Sequence, residues 1–234
     1  MPKKYLYVIA TYVLMQLSSY LVIPLEAMLD MDPLILTVSW SILTFVAALV
    51  VSCYLLRDEI RSFFQSDDKQ IGQIILWSVL GFILVIIAQS VAGLIERYVF
   101  GITTSSENTQ ILMEVARQLP IFIIIISILG PILEELVFRK AIFGTLNKRL
   151  NFFIAAVISG FLFAILHMDF DHLLTYILAG MVFAFVYVET NRIIVPIIVH
   201  MSMNTMAVIM QFSIDPEELQ RMLEEVQLIL FGGF

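Results

Sequence analysis

Seven apolar stretches, each close to the length that carries a helix across a bilayer, leave this chain little room to fold in any other way. A spanning helix needs about 20 mostly apolar residues. Such stretches occupy roughly 5–28, 33–56, 73–95, 119–145, 151–168, 172–189 and 192–212. Backbone groups inside hydrocarbon must be satisfied within their own segment, so runs of this length read as helices. The composition agrees, since 60% of the 234 residues are hydrophobic and 14% are charged, against about 45–50% and about 25% in soluble domains. The expected fold is all-α: a polytopic membrane helical bundle of about seven transmembrane helices plus interfacial amphipathic helices. The expected location is the cell membrane, in multi-pass form.

The connecting segments are short. The first apolar stretch follows Lys3 and Lys4 in the manner of a signal peptide, but it is long and has no A-x-A cleavage site, so it is expected to be retained. Between the second and third stretches, "RDEIRSFFQSDDKQ" reads as an interfacial segment, and 96–118, with "TTSSENTQ" at its tip, as another. Asp215-Pro216 followed by acids opens an amphipathic tail that is expected to lie on the membrane surface. The division that follows is 1–118, N-terminal transmembrane helices and interfacial segments; 119–212, a transmembrane core; and 213–234, the amphipathic tail. Lys3 and Lys4, then Arg57, Arg61 and Lys69, then Lys148 and Arg149 fall on alternate loops, which favours a cytoplasmic N-terminus although Arg97 and Arg117 run against it. A net charge of −7 without a basic run excludes a nucleic-acid footprint. Cys53, the single cysteine, excludes an intramolecular disulfide and a cysteine zinc cluster, and reads as a small buried hydrophobe.

Against this background the stretch "GPILEELVFR", Gly130 to Arg139, stands out. Charged groups at mid-membrane depth cost about 2.5–3.5 kcal/mol each, so they are paired or face a cavity. At about 100° per residue, Glu135 and Arg139 share a helical face and can form an ion pair, whereas Glu134 points away from it. One glutamate can be held by the arginine while the other stays free. Three further polar groups reach a similar depth. His167 ends "FFIAAVISGFLFAILH", with Phe163 one turn earlier, and His200 and Asn204 stand i, i+4 in "PIIVHMSMNTMAV". Glu134 and His167 lie about 21 and 28 Å from the turn at Lys148 and Arg149, and His200 and Asn204 about 14 and 20 Å from the turn at Asn191. Pro131 and Pro196 precede Glu134 and His200, where proline frees backbone carbonyls. His172, in "HMDFDH" with Asp169 and Asp171, reads as a surface residue, and its i, i+5 spacing from His167 does not suit a shared metal.

In this order, "EELVFR" as E-E-x-x-x-R, "FAILH" as F-x-x-x-H and "HMSMN" as H-x-x-x-N resemble the CAAX-processing and bacteriocin-processing membrane protease family, also called the Abi family. The resemblance covers about residues 119–210. It implies an intramembrane glutamate-type protease with no cofactor, acting on a membrane-associated peptide or protein in the lipid bilayer, with 119–212 as the catalytic core. Under it, Glu134 is the general base, and His167 helps to hold or activate the water. His200 and Asn204 stabilise the oxyanion, and Glu135 and Arg139 support the site. General chemistry permits the scheme, since hydrolysis without a nucleophilic side chain needs a carboxylate or metal to activate water and donors aimed at the oxyanion. Two histidines and a glutamate are also the ligands of some catalytic zinc sites, although no H-E-x-x-H spacing is present. A zinc-dependent protease and a non-enzymatic adaptor or scaffold in signalling or immunity remain alternatives, with a transporter third.

Overall fold

The computed structural model describes residues 1–65 and 71–213, so the expected surface tail, 214–234, lies outside the described residues. Among the described residues the chain forms nine helices and no strand. They are α1 (Lys3–Met28), α2 (Pro33–Leu55), α3 (Arg57–Gln65), α4 (Ile71–Tyr98), α5 (Glu107–Gln118), α6 (Pro120–Leu146), α7 (Phe152–Leu166), α8 (Leu173–Thr190) and α9 (Ile194–Ser213). Six are long and apolar enough to cross a membrane. The fifth expected span, 151–168, is the exception. Its helix α7 has 15 residues, about 22 Å at 1.5 Å per residue, and the chain then turns through Met168 at φ 54°. The two interfacial segments contain α3 and α5.

Local chemistry sets the helix ends. Asp32 caps α2, accepting from Leu34 and Ile35 N–H at 2.9 and 3.0 Å, with Pro33 in the first turn, where its missing N–H costs nothing. Ser106 caps α5 through the N–H of Thr109 at 3.1 Å. Asn191 ends α8 in the left-handed conformation, φ 50°, which asparagine tolerates better than most residues.

Helix α6 is the axis of the bundle. Its most apolar window is 61% buried, while no other spanning helix exceeds 33%. It is also irregular: a 3₁₀ turn at Pro120–Phe122, π-helix at Ile125–Leu129, α-helix at Gly130–Glu135, and π-helix again at Leu136–Phe143. Around it, α7 and α8 approach very closely. A Cβ on Gly160 would lie 2.9 Å from the carbonyl oxygen of Ile177, and one on Gly180 would lie 2.9 Å from Gly160 Cα. Small residues permit this contact, which is how helices pack where no hydrophobic force separates protein from lipid.

At the end of the bundle where α1 begins and α6 ends, Glu59 of α3 accepts from Lys4 at 2.5 Å and Lys140 at 2.8 Å. Partial burial alone would raise the Glu59 carboxyl, but Lys140 and Lys4 outweigh it and hold it below the usual carboxylate range. The charged segment "RDEIRS" is thus tied to two spans by one carboxylate.

Candidate active site

The buried charges on α6 form a layered arrangement. Glu135 and Arg139 are both 0% exposed, and Glu135 Oε2 lies 3.2 Å from Arg139 Nε, as the i, i+4 spacing requires. The pair is close but not aligned as a hydrogen bond. Aromatic faces complete the environment of the guanidinium, whose carbon is 4.6 Å from the Phe163 ring centre and 4.9 Å from that of Phe183. The other oxygen of Glu135 accepts from His200 Nδ1 at 2.9 Å. The His200 ring is 1% exposed and stacks on Phe183, centres 4.7 Å apart. Its Nε2 points the opposite way, 3.6 Å from Glu134 Oε2. His200 therefore stands between the two glutamates, one fully buried and the other facing a cavity.

That cavity has a volume of about 530 Å³, and Tyr12, Gln16, Glu134, His167, His200 and Asn204 are in its wall. Glu134 Oε1 is 3.5 Å from the Tyr12 hydroxyl, the outer limit of a hydrogen bond, and Gln16 Nε2 donates to that hydroxyl at 3.4 Å. The α1 helix thus supplies the neighbours of the cavity-facing carboxylate. His167 Nδ1 is 2.8 Å from the carbonyl oxygen of Phe163. A carbonyl only accepts, so Nδ1 carries the proton, and the neutral ring keeps a lone pair on Nε2. Phe163 and Tyr176 clamp this ring, with centres 4.5 and 4.2 Å away.

Asn204 is placed by a gap in the backbone ladder of α6. In the π-helical turn the Gly130 N–H bonds to the Ile125 carbonyl, five residues back. The next bond of that register would run from residue 131 to Ile126, but residue 131 is proline and has no N–H. Asn204 Nδ2 donates to the freed Ile126 oxygen at 2.9 Å. One amide proton is committed there, and the other remains for the cavity. The proline noted in the sequence thus frees the carbonyl that orients a cavity side chain.

All six expected site residues meet here: Glu134, His167, His200 and Asn204 at the cavity, and Glu135 and Arg139 behind them. Sequence reasoning missed Tyr12, which carries no signal within an apolar run, and Glu96. An acid near the end of an apolar stretch was a usable signal for Glu96, given the cost of burying charge. The expectation that His172 lies on the surface requires correction. His172 is half-buried, with Nδ1 3.0 Å from Glu96 Oε2, and its neighbour Asp169 is 6% exposed and accepts from Ser106 Oγ at 2.5 Å. The turn after α7 folds the loop 167–172 against the start of α5 and the end of α4, which supply these partners. Asp171, in the same loop, is exposed. Among the described residues no set of three or more His, Cys, Asp or Glu side chains is arranged to hold a metal ion.

A bundle of spanning helices that gathers carboxylate, imidazole and amide groups around a cavity between them has the layout of a membrane-embedded hydrolase. Comparison with known proteins makes this specific. Residues 116–206 match the family described as type II CAAX prenyl endopeptidase Rce1-like. The chain is 43% identical to "Putative membrane peptidase YdiL" of Bacillus subtilis over 248 aligned positions, covering the full length of both. It is 38% identical to "Membrane-embedded CAAX protease MroQ" of Staphylococcus aureus over 162 positions, covering 67% of this chain and 65% of that one. No solved structure matches the chain. The chain belongs to the Rce1-like CAAX protease family and is a multi-pass, membrane-embedded protease.

Proposed function

We propose that this protease hydrolyses a peptide bond of a membrane-associated peptide or protein with a water molecule activated by Glu134. The observation that carries the reading is the unequal setting of the two adjacent glutamates: Glu135 is fully buried and occupied by Arg139 and His200, while Glu134 faces the cavity. Water held between Glu134 and the free lone pair of His167 Nε2 gives its proton to Glu134, and its oxygen adds to the substrate carbonyl carbon. The carbonyl electron pair moves onto the oxygen. Two donors are available to that oxyanion. One is the second amide proton of Asn204, and the other is Nε2–H of His200 in its doubly protonated form, with Nδ1–H bonded to Glu135. Glu134 then gives that proton to the amide nitrogen as the oxyanion re-forms the carbonyl and the C–N bond breaks, which releases the amine and leaves Glu134 again a carboxylate. Glu135 and Arg139 touch no substrate in this scheme; they hold His200 in place.

The test is cleavage of a membrane-peptide library by purified protein in detergent, with and without a strong chelator, alongside Glu134→Gln. The expected outcome is cleavage that the chelator leaves unchanged and that Glu134→Gln reduces by about a thousandfold or more, the scale of losing the group that activates the nucleophile. Loss of wild-type activity on chelation would transfer water activation to a metal. Undiminished cleavage by folded Glu134→Gln would remove Glu134 from the mechanism.

A further inference from the structure

Tyr12 of α1 has no part in the chemistry above, yet its side chain ends against the base. The residue is 2% exposed and lines the cavity. Its ring meets that of Phe138 edge to face, with centres 6.2 Å apart, which fixes where the hydroxyl stands. Among the described residues that hydroxyl has two polar neighbours, Glu134 Oε1 at 3.5 Å and Gln16 Nε2 at 3.4 Å. What each group can do sets the direction of the chain. An ionised carboxylate only accepts and an amide N–H only donates, so the hydroxyl accepts from Gln16 and donates to Glu134. The reverse arrangement would turn a hydroxyl lone pair toward the carboxylate, and two acceptors repel.

The two oxygens of Glu134 are therefore unequal. Oε1 is turned toward Tyr12, while Oε2 has no hydrogen bond among the described residues and lies 3.6 Å from His200 Nε2. The geometry points to Tyr12 as a positioning residue for the protease: its hydroxyl holds Glu134 Oε1 and leaves Oε2 as the oxygen that takes the proton from water. Gln16 completes the chain by keeping the hydroxyl proton aimed at the carboxylate. Both contacts are long, as catalytic hydrogen bonds often are before substrate is bound, and a small shift tightens them. The family match covers residues 116–206, and α1 lies outside it, so the base depends on a helix that the matched segment does not contain. This assignment rests on the reading that Glu134 activates the water.

The experiment uses the full-length protein in detergent and a quenched fluorescent peptide that it cleaves. Tyr12→Phe keeps the ring and its contact with Phe138 and removes only the hydroxyl. It is expected to lower kcat about tenfold, the scale of one hydrogen bond to a charged group, with KM within about threefold of wild type. A purely structural role for Tyr12 predicts wild-type kcat, because the packing is retained, and that result overturns the inference. A raised KM at unchanged kcat overturns it too, since the hydroxyl would then act on the substrate. A second readout does not depend on turnover. The infrared spectrum of wild type minus that of Glu134→Gln isolates the carboxylate bands of Glu134. The same difference taken with Tyr12→Phe in both proteins should show those bands shifted; unshifted bands mean that the hydroxyl makes no bond to Glu134, and the inference falls. Glu134→Gln also separates the two readings. If it is inactive while Tyr12→Phe cleaves at the wild-type rate, only the role of Tyr12 falls; if it cleaves normally, or if the difference contains no ionised carboxylate, the assignment of Glu134 as the base falls.

Discussion

Arg139 carries a full positive charge at a point with no exposure, held by one carboxylate and the faces of three phenylalanines, Phe138, Phe163 and Phe183. Removing one member of such a pair strands the other, which typically costs about 3–5 kcal/mol. Arg139→Met is therefore expected to lower the melting temperature in detergent sharply. Arg139→Met combined with Glu135→Gln should recover much of that loss, since no uncompensated charge remains, while cleavage stays impaired because His200 has lost its anchor. A double variant as unstable as the single one would show that the pair is not the source of the cost. The i, i+4 spacing of Glu135 and Arg139 made this contact legible in the sequence, because helix geometry alone forces it. The Tyr12 neighbour of Glu134 was not legible, because Tyr12 lies 122 residues away and nothing local distinguishes it from other apolar-span aromatics.

The elements tell a similar story one level up. Length and hydropathy located all the spanning segments but overstated α7: the expected span ran to residue 168, whereas the helix ends at Leu166 and the chain turns at Met168. The π-helical turns of α6 left no mark that hydropathy could register, although Pro131 hinted that a carbonyl would be free. The close approach of α7 and α8 gives a sharp expectation. Gly160→Ala would press a methyl group to 2.9 Å from the backbone oxygen of Ile177. Backbone yields less than side chains do, and overpacking of this kind costs about 1–3 kcal/mol. Gly93 in α4 provides the control, because a Cβ there meets nothing within 4 Å, and Ala in a helix is favoured over Gly by roughly 0.5–1 kcal/mol. Thermal melts in detergent should therefore show Gly160→Ala falling and Gly93→Ala unchanged or slightly raised. Equal responses would mean that the α7–α8 contact is not tight.

For the molecule as a whole, the Lys4–Glu59–Lys140 clasp joins α1, α3 and α6 and makes stability depend on pH. The folded-state carboxyl of Glu59 is depressed by its two lysines. Its contribution is therefore fully present above the unfolded value of about 4.3 and is lost as pH falls through the lower folded value. Wild-type melting temperature should drop more between pH 6 and pH 3 than that of Glu59→Gln; parallel curves would assign the acid sensitivity elsewhere. Charge on the loops was readable in the sequence, but this pairing across three elements was not, since it depends on how the ends of the bundle come together. The cavity shows the same dependence on the complete assembly. Its wall takes Tyr12 from α1, Glu134 from α6 and Asn204 from α9. During synthesis these residues enter the bilayer in that order, and the carboxylate precedes its histidine and amide neighbours by some 70 residues. Under the proposed mechanism, a chain built this way holds no working catalyst while it is being threaded into the membrane. Its capacity to cut would then begin only when α9 has taken its place beside α6, so that the order of insertion itself would keep neighbouring nascent proteins from meeting an unfinished enzyme.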